Sequence, residues 1–372
     1  MNIVDRVVRK EIRETHRIKD TCEERFTYLR LDKNERIVPF TESEIATLRQ
    51  RITSDSISGY AELGALYRRL ADTFSLSADE ILLTAGSDLA IKTVYETCIE
   101  KGSNVVLHLP CFGMYRVYAR MFGADARTVP LDANWQPDIP AMHALVDDCT
   151  RMVVVENPNG FVGTEPDSEA LVRLADTLHK RGVLLLIDEA YRFVEYSESS
   201  AIRLMREYPN VIIAQTFSKA HGLAGVRFGC LIARREMMEY FQRVRPMHEV
   251  SSLAAVAAEW VLDHPEMLAR YRTEIAKSKE LLKTRLTKIG IRWRDTHANF
   301  ILAYFPDEGP TAQIASRLRE RGILIRRPFE EPFLKGWTRI TVGACADMER
   351  FTRTLGEVVG AGAQCTTQET TA

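Results

Sequence analysis

A chain of 372 residues with 45% hydrophobic content can bury a large core, and its length suits two domains better than one. Fifty Lys and Arg against fifty-one Asp and Glu leave a formal charge of −1, so no broad basic field exists for nucleic acid or an anionic membrane. The same composition excludes global disorder, and selectivity must come from local sites.

The N-terminus, Met1-Asn2-Ile3-Val4-Asp5-Arg6, is charged throughout and lacks the apolar core of a secretory signal; no apolar run approaches membrane-spanning length. Residues 1–25 place Ile3, Val7, Val8 and Ile12 at helical spacing, which predicts an amphipathic arm. From about residue 60 to 260, short apolar runs alternate with helical patterns. The runs are Ile81-Leu82-Leu83, Val105-Val106-Leu107, Met152-Val153-Val154-Val155, Val183-Leu184-Leu185-Leu186-Ile187, Val211-Ile212-Ile213 and Cys230-Leu231-Ile232-Ala233. Unalternated apolar strands bounded by helices predict an α/β fold with a mostly parallel sheet covered on both faces.

A long helical pattern from Pro265 to Ile289 leads into a second set of elements: Asn299-Phe300-Ile301-Leu302-Ala303, a helix around Ala312–Arg321 and a strand around Arg339–Val342. The expected division is an N-terminal arm and part of a small domain at 1–40, a large domain at 41–265, a small α+β domain at 266–360 and a mobile tail at 361–372. Seven cysteines (22, 98, 111, 149, 230, 345 and 365) are odd in number, scattered and without C-x-x-C spacing. That argues against a disulfide framework or structural zinc, and points to a reducing cytoplasm.

The most informative segment is Thr216-Phe217-Ser218-Lys219-Ala220-His221-Gly222-Leu223-Ala224-Gly225-Val226-Arg227. A lysine at the end of a buried strand is poorly solvated, and poor solvation makes its amine a candidate Schiff-base nucleophile. Thr216, Ser218 and Arg227 have the chemistry of a phosphate cup. Aldehyde capture beside phosphate capture is what pyridoxal 5′-phosphate requires. Upstream, Thr84-Ala85-Gly86-Ser87-Asp88 follows a predicted strand and precedes a helical pattern, so Gly86, Ser87 and Asp88 would present helix N-terminal amides to the same phosphate. Ordinary helix capping is the alternative reading of these three. Asp188, in Leu186-Ile187-Asp188-Glu189-Ala190-Tyr191, ends the most apolar run, where active sites of open α/β sheets lie. A buried carboxylate there needs a cationic or strongly donating partner.

These segments resemble fold-type I aminotransferases, and especially the histidinol-phosphate aminotransferase subgroup, whose lysine motif is T-x-S-K followed by L-A-G-x-R-x-G. Further matches, from Leu31-Asp32-Lys33-Asn34-Glu35 to Arg339-Ile340-Thr341-Val342-Gly343, follow the family's order over nearly the whole chain. The resemblance implies a large domain with a seven-stranded, mostly parallel sheet between helices plus a small α+β domain. It gives Asp188 the protonated ring nitrogen of the cofactor, Tyr191 the ring's 3-oxygen, and Phe112, in Pro110-Cys111-Phe112-Gly113, the ring face; core packing is the alternative for Phe112. Tyr60 matches a tyrosine that reaches the cofactor phosphate of a neighbouring subunit, implying a homodimer with shared active sites.

The clearest departure is Glu156-Asn157-Pro158-Asn159-Gly160-Phe161-Val162-Gly163, where the family reads N-P-N-N-P-T-G. The family's second asparagine donates to the 3-oxygen, and here that position is Gly160. Either Asn159 takes over through a shifted loop or Tyr191 carries the contact alone. For the substrate, the resemblance assigns Arg339 to a carboxylate or other anion, Arg326 to a distal anion with Arg327 adjoining, and Asn34 to the pocket. Arg36 stands where the family has proline, placing another charge nearby.

The activity implied is ping-pong transfer of an amino group between an amino acid and a 2-oxo acid, with Lys219 as general acid/base and no metal. His221 could assist that proton transfer, or be structural. The distal group would be phosphate, phosphonate or carboxylate. Two competitors are a decarboxylase or cyclase on the same cofactor site, and a cofactor-binding regulator, for which this chain shows neither spare N-terminal length nor a basic recognition helix.

Overall fold

The computed structural model describes residues 3–15, 24–192, 200–329 and 331–368. They fall into two compact units: a larger one of 3–15, 42–192, 200–218 and 223–263, and a smaller one of 24–41, 219–222, 264–329 and 331–368. Strand β1 (Leu29–Leu31) belongs to the smaller unit.

The larger unit carries β2 (Ile81–Thr84), β3 (Asn104–Leu109), β4 (Asp125–Pro130), β5 (Thr150–Glu156), β6 (Leu184–Asp188), β7 (Val211–Thr216) and β8 (Gly229–Ile232). They form one seven-stranded sheet in the order β2-β8-β7-β6-β5-β3-β4. From β7 to β4 every pair is parallel, while β8 runs antiparallel to both β2 and β7. The six apolar runs of the sequence become β2, β3, β5, β6, β7 and β8, buried along nearly their whole length. Strand β4 is not legible in this way. Its Asp125-Ala126-Arg127-Thr128-Val129-Pro130 lies on the edge, largely open to solvent, so nothing requires it to be apolar.

Helix Ser87–Cys98 buries Ala90, Ile91, Val94 and Tyr95, and helix Met114–Met121 buries Tyr115, Tyr118 and Ala119, in one core cluster with Val105, Leu107, Val154, Leu186 and Ile212 of the sheet. Each fully buried aliphatic side chain contributes roughly 1.5–3 kcal/mol of transfer free energy. Sheet register sets Glu156 opposite Asp188, and Asp188 opposite Ala214. Polar residues of two neighbouring strands, Glu156 and Asp188, thus reach one level at the carboxyl ends of the sheet.

The arm was expected to belong with the smaller unit, but residues 3–15 cluster with the larger one. Lys101 pairs with Glu11 at 3.0 Å and Arg120 donates to Glu14 O at 2.9 Å. In the smaller unit β1 pairs in parallel with β11 (Ile323–Ile325), and β9 (Trp293–Arg294), β10 (Phe300–Tyr304) and β12 (Trp337–Thr341) form an antiparallel sheet in the order β12-β10-β9. Helices Pro265–Lys288 and Cys345–Gln368 accompany it. The last helix continues to Gln368, through part of the segment expected to be a tail; 369–372 lie outside the described residues. No helix among the described residues is long and apolar enough to cross a membrane.

Candidate active site

Strand β2 ends at Thr84, and the chain turns through Ala85 and Gly86 into helix Ser87–Cys98. Gly86 has φ +82°, and a Cβ there would stand 2.6 Å from Arg227 Nη2. The positive φ calls for glycine, and a side chain there would push the Arg227 guanidinium aside. Arg227 donates to Ala85 O (3.2 Å), Ala224 O (3.2 Å) and Ser218 Oγ (3.3 Å). Thr216 Oγ1, at the end of β7, donates to Ser218 Oγ at 3.0 Å. Arg227 itself sits at φ +62°; holding a non-glycine residue there costs on the order of 1–3 kcal/mol, a strain found at binding sites whose surroundings over-determine the backbone.

Two hydroxyls, a guanidinium and the first amides of a twelve-residue helix therefore converge, with a floor kept open by the missing Gly86 side chain. This donor set fits a dianionic phosphate. The Asp88 side chain is engaged elsewhere: its Oδ1 accepts from Tyr118 Oη at 2.8 Å. Gly86→Ala is expected to weaken cofactor binding tenfold or more, since the methyl strikes Arg227 and the φ is unfavourable. Equilibrium titration of the apoprotein with pyridoxal 5′-phosphate checks this; unchanged affinity would remove Gly86 from the cup.

Asp188 is buried, with Oδ2 accepting from Tyr115 Oη at 2.6 Å and Oδ1 from Ala190 N at 2.9 Å. Burial, then the charge of Asp188, pushes the Tyr115 hydroxyl's pKa well up, so it stays a donor. Opposite Asp188, buried Glu156 accepts from Phe112 N at 2.5 Å and Gly160 N at 2.7 Å. The Phe112 ring is 38% exposed and edge-on to Tyr115, with centroids 5.8 Å apart. It is not a core residue, and it offers a stacking face near Asp188.

Asn159 does not take the place of the missing amide. It is 0% exposed. Its Oδ1 accepts from Phe161 N (2.8 Å) and Val162 N (2.9 Å), and its Nδ2 donates to Pro110 O (3.0 Å). The amide is spent on building the turn. The Tyr191 ring packs directly over Gly160.

His108 is buried below this turn, its Nδ1 3.1 Å from Pro110 O and its Nε2 accepting from Glu156 N at 3.1 Å. Burial pulls its pKa down from 6.5 to about 4. Because the unfolded chain takes up this proton first, the stability from neutral His108 is complete above about pH 6.5 and is lost as pH falls towards about 4. His108→Gln is expected to flatten acid denaturation in that window; an unaltered profile in urea melts across pH would exclude His108 as a source.

In the smaller unit, Lys219 follows Ser218 by one peptide bond and its Nζ donates to Lys33 O at 3.0 Å. Asn34 is buried at φ +54°, its amide N and Oδ1 both 3.0 Å from Thr341 Oγ1 and its O accepting from Asn299 Nδ2 at 3.1 Å. Arg36 is stacked between the rings of Phe40 (4.4 Å) and Tyr271 (4.6 Å) and approaches Ala220 O at 3.4 Å. Burial, then Arg36, lowers the His221 pKa to about 3, so this imidazole is neutral at working pH. Arg339 is buried on β12 near the Phe300 ring, and Arg326 follows β11 beside Phe329. In the larger unit Tyr60 is 80% exposed and stacks on His248 at 3.8 Å.

Tyr115, Glu156 and His108 were not singled out by the sequence. Only Glu156 carried a signal, as an acidic residue closing an apolar strand.

The family model for aminotransferase class I and II matches residues 33–358. A histidinol-phosphate aminotransferase of Symbiobacterium thermophilum is 33% identical over 336 residues, covering 90% of this chain and 91% of that protein. Histidinol-phosphate aminotransferase 2 of Pseudomonas fluorescens is 31% identical over 337 residues, covering 90% and 89%. The crystal structure of the Sinorhizobium meliloti histidinol-phosphate aminotransferase in complex with pyridoxal 5′-phosphate aligns with a TM-score of 0.84 at 25% identity, covering 95% of this chain and 97% of that one.

Proposed function

Because this chain belongs to the class I and II aminotransferases, we propose that it moves an amino group between an amine substrate bearing a second anionic group and a 2-oxo acid. The enzyme uses pyridoxal 5′-phosphate, which when bound supplies an aldehyde for the amino group and a ring that withdraws electrons from it. The observation that carries the reading is the buried Asp188, held by Tyr115, at the same end of the sheet as a phosphate cup whose Ser218 is followed by Lys219.

In this reading Gly86, Ser87, Asp88, Thr216, Ser218 and Arg227 bind the phosphate. Asp188 holds the proton on the ring nitrogen, Phe112 stacks on the ring, and Tyr191 donates to the 3-oxygen. The Lys219 amine attaches the cofactor and then moves the proton at the substrate Cα. Arg339 pairs with the substrate carboxylate or an equivalent anion, Arg326 takes the distal anion, and Asn34 borders the pocket. The two relatives above are named for a phosphorylated substrate, which supports a phosphate as the distal group. Decarboxylation and cyclisation are not favoured, because relatives matched over 90% of the chain are named aminotransferases.

Incubating the holoenzyme with histidinol phosphate or an amino acid and 2-oxoglutarate tests the reaction. Glutamate should form; carbon dioxide without glutamate would reject transamination. Arg339→Ala is expected to lower kcat/KM by roughly 10²–10⁴-fold through loss of a bidentate charged pair. Steady-state kinetics with wild-type values would take Arg339 out of the pocket.

Exposed Tyr60 lies beside exposed Ile57, Met247 and Leu253, with Ser252 Oγ bonded to Gly59 O at 2.7 Å. This apolar face supports a homodimer in which Tyr60 reaches the partner's cofactor. Mixing Tyr60→Phe with Lys219→Ala protein tests sharing: the hybrid carries an intact lysine in one site only, and that site reaches wild-type turnover if Tyr60 of the other subunit serves it but stays at the Tyr60→Phe level if its own does. Free Cys98, Cys111, Cys149, Cys230 and Cys345 support a reducing, cytoplasmic setting.

A further inference from the structure

This inference rests on the cofactor reading above and concerns the turn after β5. Glu156 is 3% exposed, and its two carboxylate oxygens accept from the backbone amides of Phe112 and Gly160. It thereby ties the turn after β3 to the turn after β5. Gly160 lies under the Tyr191 ring: a Cβ there would stand 2.7 Å from Tyr191 Cε2, and 3.4 Å from Tyr191 Cδ2 and from Glu156 Oε2. Its φ is not in the left-handed region, so what this position needs from glycine is room.

We propose that Glu156 and Gly160 together seat the Tyr191 ring, Gly160 by leaving the space and Glu156 as a positioning residue that locks the seat to the Phe112 turn. The neighbouring polar groups do not substitute for it, since Asn159 is spent on the turn and Tyr115 on Asp188. Position 160 then governs where the Tyr191 hydroxyl stands, and with it the proton affinity of the oxygen that hydroxyl meets. Displacing a donor from an anionic oxygen raises the pH at which that oxygen loses its proton.

The test is a pH titration of the visible absorbance band of the holoenzyme. Tyr191→Phe should move the midpoint upward by roughly half a pH unit or more. Gly160→Ala should move it in the same direction, and the double variant no further than Tyr191→Phe alone. A Gly160→Ala midpoint at the wild-type value, or an effect that adds in full to that of Tyr191→Phe, overturns the seat while leaving the cofactor reading intact. A Tyr191→Phe midpoint at the wild-type value removes Tyr191 from the 3-oxygen and the inference with it. Glu156→Gln, which keeps the shape but offers one acceptor oxygen, should cut the visible circular dichroism of the bound cofactor, and an unchanged signal would overturn the part given to Glu156.

Discussion

Lys219→Ala is expected to abolish covalent attachment of the cofactor and to lower turnover by roughly 10²–10⁴-fold or more, the range that a positioned acid/base group supplies. Attachment and proton transfer both need an ε-amine next to the phosphate cup, and Lys219 follows Ser218 directly. The fold should survive, because the Nζ bond to Lys33 O is one loop-to-loop contact of the smaller unit, worth about 1 kcal/mol net. Borohydride treatment of reconstituted wild type should yield one modified peptide containing residue 219, and the variant should yield none. A modified peptide from the variant, or full turnover without the amine, would sink the assignment. Lys219→Arg is the informative partner, since it keeps the charge and loses the nucleophile.

The second large effect falls on Asp188. Replacement by alanine leaves the Tyr115 hydroxyl and the Ala190 amide without their acceptor. Each such loss costs about 1–3 kcal/mol, a large share of the 5–15 kcal/mol that stabilises a typical domain. Asp188→Asn is the cleaner probe, because it keeps an acceptor for Tyr115 and the side-chain shape while removing the charge and one acceptor oxygen. Losing a charge-assisted bond to the ring nitrogen should cost about 1.5–3 kcal/mol, a fall of roughly 10–200-fold in kcat with the protein still folded. Single-turnover rates with a saturating amine donor measure it. Unchanged rates with full cofactor occupancy would mean that Asp188 does not face the ring. Tyr115→Phe should give a smaller fall in the same direction, since it acts through the carboxylate it holds.

Legibility in the sequence followed burial. Leu184-Leu185-Leu186-Ile187-Asp188 reads as a central strand ending in a functional acid because both faces of a parallel sheet are covered, which forces a continuous apolar run and makes the closing carboxylate conspicuous. Strand β4 escapes because an edge strand imposes no such demand. Tyr115 escapes for the opposite reason: a tyrosine on the buried face of an amphipathic helix looks like core, and only its 2.6 Å bond to Asp188, 73 residues away in the chain, reveals its use.

The sequence alone singled out the proposed chemical groups, a lysine, an acid, two hydroxyls and an arginine, because they sit at fixed short spacings on the ends of apolar strands. It left open what replaces the amide at position 160, and it placed Arg36 as a further charge near the pocket without showing its surroundings. What the tertiary structure decided is how the side chains there are engaged: Asn159 is spent on its turn, the Tyr191 ring packs against Gly160 and Arg36 is stacked between two rings. The physical reason is that a side chain's role depends on which of its hydrogen bonds are already made, and those partners lie on other strands and turns.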